Sequence, residues 1–277
     1  MTSPARAPQP DSVSRTELIT PEPAEALAGL LDIALPSPEE LPELWHWIYL
    51  LERRPQADLG PDGHPTSGIP APPGPGRLRM FAGGRVVTHH RLRFGEPATR
   101  TTWVLRTTEK QGRTGPLTFV TVRSEFTQAG RLAIADEQDI VYRAPGSTLP
   151  PEPAAATAPT APRDGLVLPV DPVALFRFSA LTYNAHRIHY DLAYAEAEGY
   201  PGLVVHGPLQ ALMMGELMRR SGEPLAGRVF GYRLVAPMYG RQLLAVSPDP
   251  EQTGVTARVT GNAGRVTATS TLRPVID

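Results

Sequence analysis

Residues 183–191 read YNAHRIHYD, and residues 199–214 read GYPGLVVHGPLQALMM. The second stretch leaves a glycine–proline turn and becomes apolar on most sides. Leu209, Leu212, Met213 and Leu217 share one helical face, with Ala211, Met214 and Met218 beside them. A helix with that distribution has to be buried. Pro208 suits its first position and Gly222 its C-terminal end. His186, His189 and His206 therefore stand in turns beside the start of a buried helix, where a fold presents reactive groups.

Outward from that helix the pattern turns to strands. RVFGYRLVAPMY, RQLLAVSPD and GVTARVTG are strand candidates, the last paired with GRVTATSTLRPV across a GNAG turn. Upstream, GLVLPVDPVALFRFSALT reads as a short strand or turn. The first half follows the same plan. TPEPAEALAGLLD (20–32) predicts a short helix with Thr20 as N-cap and Pro21 at the first position. LPELWHWIYLLE (41–52) predicts a second, with Leu44, Trp47, Ile48 and Leu51 as its apolar stripe. A long loop over 55–77 has the length of a lid or binding loop, and four β-rich runs between 80 and 143 form an antiparallel meander. STLPPEPAAATAPTAPRDG (147–165) is rich in proline and alanine and reads as a linker. The expected division is a disordered tail (1–16), an N-terminal unit (17–146), a linker (147–166) and a C-terminal unit (167–277), of α+β class.

Composition narrows the chemistry. The 277 residues carry a formal net charge of −1, so neither nucleic acid nor an anionic membrane is an expected partner. The chain has no cysteine, which removes disulfides, thiolate nucleophiles, thiolate zinc sites and iron–sulfur clusters. Lys110 is the only lysine and lies in a polar turn, a poor place for Schiff-base chemistry. No apolar run approaches 18 residues and the N-terminus has no apolar leader segment, so a soluble, cytoplasmic protein is expected.

Three readings compete for the histidines. Two imidazoles three residues apart with a third after a gap can bind a metal, but Arg187 between them opposes a cation and no carboxylate completes a motif. His46, His64, His89 and His90 read as structural residues. For His189 and His206, acid–base chemistry makes fuller use of the arrangement. A neutral imidazole can take a proton from water near pH 7. Gly207, at the helix N-terminus, can aim its N–H at a developing oxyanion, and because Pro208 has no N–H, Gly207 and His206 are the amides available.

YNAHRIHYD with GYPGLVVHGPLQALMM resembles the MaoC-like hydratase/dehydratase group of the hot-dog superfamily. The likeness is to its fused two-module branch, which includes mesaconyl-C4-CoA and itaconyl-CoA hydratases and mitochondrial-type 3-hydroxyacyl-thioester dehydratases. WHW (45–47), LGPDGHP (59–65), GRLRMFAGG (76–84), EKQGRTGPLTFV (109–120) and EQDIVYR (137–143) resemble that branch's first module. The resemblance implies a double hot-dog, each module a long helix wrapped by an antiparallel sheet. It also implies reversible hydration of an enoyl thioester, on CoA or an acyl carrier protein, without metal or other cofactor.

Carried over by residue, His189 matches the family's catalytic histidine, and Gly207 the glycine whose N–H polarises the thioester carbonyl. Asn184 stands where the wider group has a catalytic aspartate and is expected to orient water, with His186 the alternative replacement for that aspartate. His186, Arg187, Tyr183, His206, Arg77 and Arg79 are candidate substrate contacts; for Arg187 a salt bridge to Asp191 is the alternative. A thioesterase using Asp191 or Glu196, or a thioester-binding protein without catalysis, are the other functions the sequence allows. Two fused modules fit either a monomer or a homodimer.

Overall fold

Threonine, valine and aromatic residues alternate from Leu78 to Arg143, the pattern of strands with one buried face. The computed structural model describes residues 11–71, 73–74, 77–112, 115–143, 162 and 164–275. In it the first half supplies β1 (Val13–Leu18), α1 (Glu22–Leu31), β2 (Leu78–Thr88), β3 (Pro97–Gly112), β4 (Gly115–Gln128) and β5 (Arg131–Arg143). The second half supplies β6 (Leu166–Val170), α2 (Pro172–Thr182), α3 (Leu192–Ala197), α4 (Gly207–Arg220), β7 (Arg228–Leu234), β8 (Gln242–Ser247), β9 (Val255–Thr260) and β10 (Val266–Pro274).

These strands form one ten-stranded sheet in the order β1-β3-β4-β5-β2-β7-β10-β9-β8-β6. From each edge to the centre the two halves use the same permutation, so the repeat inferred from the alternation of elements is a repeat of topology. Antiparallel pairing of β2 with β7, from Gly83 opposite Arg233 to Val87 opposite Val229, joins them. Most buried side chains of both halves make one continuous core, running from Ile19 and Trp45 through Met213 and Phe230 to Val259, with smaller clusters around Ile188 and around Ile140.

α4 is the central helix, and all ten residues from Leu209 to Met218 are buried against β7, β8, β9 and β10. In the first half, the segment expected to be helical over 41–52 forms only a 3-10 turn, Trp45–Ile48, preceded by Leu44 at φ 71°. That left-handed residue stops an α-helix from propagating. From there to residue 71 the chain is turns and loop, with a second 3-10 turn at Gln56–Asp58. Part of this segment, including His46, Trp47, Leu51 and Leu59, lines the cavity described below.

Two further expectations are corrected. Residues 13–16 belong to β1, paired from Val13 opposite Thr102 to Leu18 opposite Pro97, and are not tail; residues 1–10 lie outside the described residues. The segment read as a strand or turn before Tyr183 contains an eleven-residue helix, α2. Asp171 caps it by accepting from the Ala174 N–H at 2.9 Å, and Pro172 follows at the first position. The expected linker also falls almost wholly outside the described residues, and β6 begins at its last position. Among the described residues, no helix is long and apolar enough to cross a membrane.

Candidate active site

β2 and β7 part beyond the Gly83–Arg233 pair, where a bulge between Phe81 and Gly83 shifts the register against β5. A cavity of about 930 Å³ opens there, with Phe81 and Ala82 on one wall and Leu234 to Ala236 on the other. Both halves line it. Asn184, His186, His189, His206 and Gly207 come from the second; His46, His64, Arg79, Arg100 and Asp136 come from the first.

His189 ends a 3-10 turn, Arg187–His189, and is buried. Its Nδ1 donates to the Val204 carbonyl at 2.7 Å. A carbonyl only accepts, so the proton resides on Nδ1 and Nε2 keeps its lone pair. Burial pushes the His189 pKa down to about 4, against the opposing effect of the Val204 bond. The imidazole is therefore neutral at pH 7 with one nitrogen available as a base. His206 stacks on it with ring centroids 3.6 Å apart, and its Nε2 lies 2.9 Å from Ser179 Oγ. Burial, then His189 and His186, hold His206 well below the ordinary histidine value.

Gly207 is the first residue of α4, a position whose N–H has no intrahelical acceptor. A Cβ there would lie 2.8 Å from Phe81 Cδ1 and 3.2 Å from Leu234 Cγ, so the site has no room for a side chain. Asn184 uses Oδ1 to accept from the His186 N–H at 3.0 Å, which leaves its amide Nδ2 as the donor able to orient water. His186 is buried, and burial, then the charges of His64, His189 and Arg79, push its pKa far down. It can serve only as a neutral imidazole.

The residue most clearly missed from sequence is His64, which was read as structural. Its ring lies 4.2 Å from that of His186, whose centroid is 5.5 Å from His189. Asp62 Oδ2 sits 2.9 Å from His64 Nδ1. The loop carrying them docks tightly: Arg187 N–H donates to the Asp62 carbonyl at 2.9 Å, and a Cβ on Gly63 would stand 1.9 Å from the Ala185 oxygen. With φ at +87°, only glycine suits that position. The length of the 55–77 loop was the signal that could have marked it. Asp62, His64 and His186 each place a potential metal ligand atom within 4.8 Å of the others. Within the set, Asp62 and His64 are hydrogen-bonded, His64 and His186 meet through their rings, and the positive charge of Arg79 acts on both histidines. His46, also read as packing, is fully buried between Trp47 and Phe126, 3.4 Å from Asp136 Oδ2.

Two candidate substrate contacts do not line the cavity. Arg187 gives Nη2 to Asp191 Oδ2 at 2.6 Å and Nη1 to the Pro61 carbonyl at 3.0 Å, and it lies over the Tyr194 ring. It clamps the loop, as the salt-bridge alternative required. Arg77 donates to Thr118 Oγ1 at 3.1 Å, along the sheet. Tyr183 caps α2 in a left-handed conformation and is exposed at the rim, while Arg79 lines the interior. Neither Asp191, committed to Arg187 and to capping α3, nor Glu196 lines the cavity, which removes the carboxylates proposed for a thioesterase.

Residues 44–240 match the family described as hydroxyacyl-thioester dehydratase type 2. Over 223 residues the chain is 48% identical to a protein of Chloroflexus aurantiacus named mesaconyl-C4-CoA hydratase, covering 78% of this chain and 79% of that one. Among solved structures, HtdX of Mycobacterium tuberculosis superposes with a TM-score of 0.67 at 15% identity, over 95% of this chain and all of the other. A second M. tuberculosis protein, described as having a double hot-dog fold, superposes at 0.53 and 16% identity over 95% of each chain. The sheet with its repeated topology is thus a double hot-dog.

Proposed function

Because this chain belongs to the hydroxyacyl-thioester dehydratase type 2 family, we propose that it is a hydro-lyase adding water reversibly across the double bond of an enoyl-CoA thioester. One observation carries the reading: His189 has its Nδ1 proton committed to Val204 and its Nε2 free in a cavity that Gly207, the first residue of α4, also lines.

In the hydration direction, His189 Nε2 takes a proton from a water held by the Asn184 amide, and the oxygen adds at C3. The electron pair of the double bond moves to the thioester oxygen as an enolate, which the Gly207 N–H and the dipole of α4 stabilise. Collapse of the enolate takes a proton at C2, returned by the His189 imidazolium or by water. Proton count is restored, and dehydration is the reverse. In this reading the second half carries the chemistry and the first builds the far wall of the cavity, with residues 147–166 as the connection. The acyl group is taken to be dicarboxylic, of the mesaconyl or itaconyl type, on CoA rather than an acyl carrier protein. One chain holds a complete site, alone or as half of a homodimer, in the cytoplasm.

The test is the enoyl-thioester absorbance with crotonyl-CoA, mesaconyl-C4-CoA and itaconyl-CoA in turn, with a thiol reagent in parallel. Loss of the band without thiol release supports hydration. Thiol release would move the activity to hydrolysis.

A further inference from the structure

Three arginines line the cavity: Arg54, Arg79 and Arg100. Arg54 is bound to Glu52 Oε1 at 2.6 Å. Arg100 donates from Nε to Ser124 Oγ at 3.2 Å and from Nη1 to the Leu50 carbonyl at 3.5 Å. Arg79 makes no hydrogen bond and no ion pair within 4.0 Å to any described residue. The acidic groups that act on it at longer range are already engaged: Asp62 with His64, and Glu52 with Arg54. Tyr142, opposite it in the β2–β5 register, is neutral near pH 7 because burial raises its phenol further.

A guanidinium stays protonated at any pH at which the fold survives. A partly buried one without a partner is costly, and the cost is recovered when a ligand brings an anion. Arg79 is such a cation in the cavity lining. Arg79 also lies near the reacting end, since its charge reaches His64 and His186, and His186 adjoins His189. The phosphates of CoA are separated from the thioester by the whole pantetheine arm, so the anion at this depth belongs to the acyl group.

We propose that Arg79 is the specificity-determining residue that reads a free carboxylate on the acyl chain, by a two-pronged guanidinium–carboxylate contact. This deepens the hydro-lyase reading and rests on it for the identity of the thioester, but it is testable without turnover. Succinyl-CoA and butyryl-CoA share the CoA portion and a four-carbon saturated acyl chain, so neither can be hydrated, and they differ in the terminal carboxylate.

Binding of both by calorimetry should show the native protein preferring succinyl-CoA by roughly 30-fold or more, the range for a desolvated charge pair. Arg79→Met should abolish the preference. Arg79→Lys, which keeps the charge without the fork, should retain part of it and supplies the comparison if the methionine variant does not fold. Equal affinities in the native protein would overturn the proposal, as would a preference that survives in Arg79→Met. An equal weakening of both ligands by that substitution would also overturn it, because it would assign Arg79 to a CoA phosphate. Failure of hydration is read separately, on the enoyl substrates above, and leaves this binding result standing.

Discussion

The Trp45 indole N–H donates to Glu216 Oε1 at 2.9 Å, across 171 positions of sequence, and ties the 3-10 turn of the first half to the central helix of the second. Both residues are buried, and Arg219 Nε donates to the other carboxylate oxygen at 3.1 Å and more weakly to Oε1 at 3.4 Å. Trp45→Phe keeps an aromatic ring but leaves Oε1 without that donor. The expected loss is about 1–3 kcal/mol of stability, the usual penalty for a buried acceptor stripped of its partner. Denaturant unfolding of the two proteins checks it; unchanged midpoints would mean that Arg219 alone satisfies the carboxylate.

Removal of the base should stop the chemistry while sparing the fold. His189→Ala is expected to lower kcat by ~10²–10⁴-fold, the usual contribution of a positioned general base. Thermal unfolding separates this from collapse of the site. Full activity in a folded variant would eliminate the proposed scheme.

The pH profile follows from the position of the same imidazole. His189 in the folded protein titrates near 4, so the acid limb of kcat/KM should fall there and not near the ordinary histidine value of about 6.5. Stability has its own dependence. An unfolded imidazole binds its proton near pH 6.5, whereas His64, His186, His189 and His206 bind theirs at lower pH when folded. Between those values the unfolded chain holds more protons, so stability rises with pH. It is complete above about pH 6.5 and declines as pH falls from there toward 4. Unfolding midpoints between pH 4 and 8 measure this, and a flat profile would contradict the burial of the cluster.

Gly63→Ala should displace the loop that carries Asp62 and His64. The new Cβ meets the Ala185 carbonyl, part of the backbone and unable to swing away, and the left-handed φ adds its own strain. At least a tenfold loss of hydratase activity is expected on the order of the misplacement costs known for active sites. Hydrogen exchange should quicken in residues 58–66 and 184–190. Native activity and exchange would show that the loop's seat is immaterial.

Local pattern made some of this protein plain. The all-round apolar run after His206 marked α4 as a buried helix, and alternation marked the meanders. Pro208 announced the helix start, and with it the exposed N–H of Gly207. His189 and His206 are marked as candidates because each adjoins a polar or glycine-rich turn beside that helix, and the base role of His189 rests on the family resemblance. The side chain of Arg187 was left between two roles, since both a nearby acid and a distant ligand were compatible with its position in the chain.

What the sequence determined by itself was therefore what has a local cause: the strand alternation and the buried helix α4, whereas the expected Thr20 cap gives way to Pro21 at the start of α1. Only the tertiary structure decided the rest. Leu44 adopts a left-handed backbone where its neighbours favour a helix, because Leu44 packs against Gly215 of α4, where a Cβ would come within 2.3 Å of it. His64 joins His186 only because Gly63 lets two loops more than a hundred residues apart touch. Arg77 lies just before β2 and Arg79 within it, yet Arg79 lines the cavity and Arg77 bonds to Thr118. Their difference arises from contacts between distant segments, and the energy of such contacts appears in no local window of sequence.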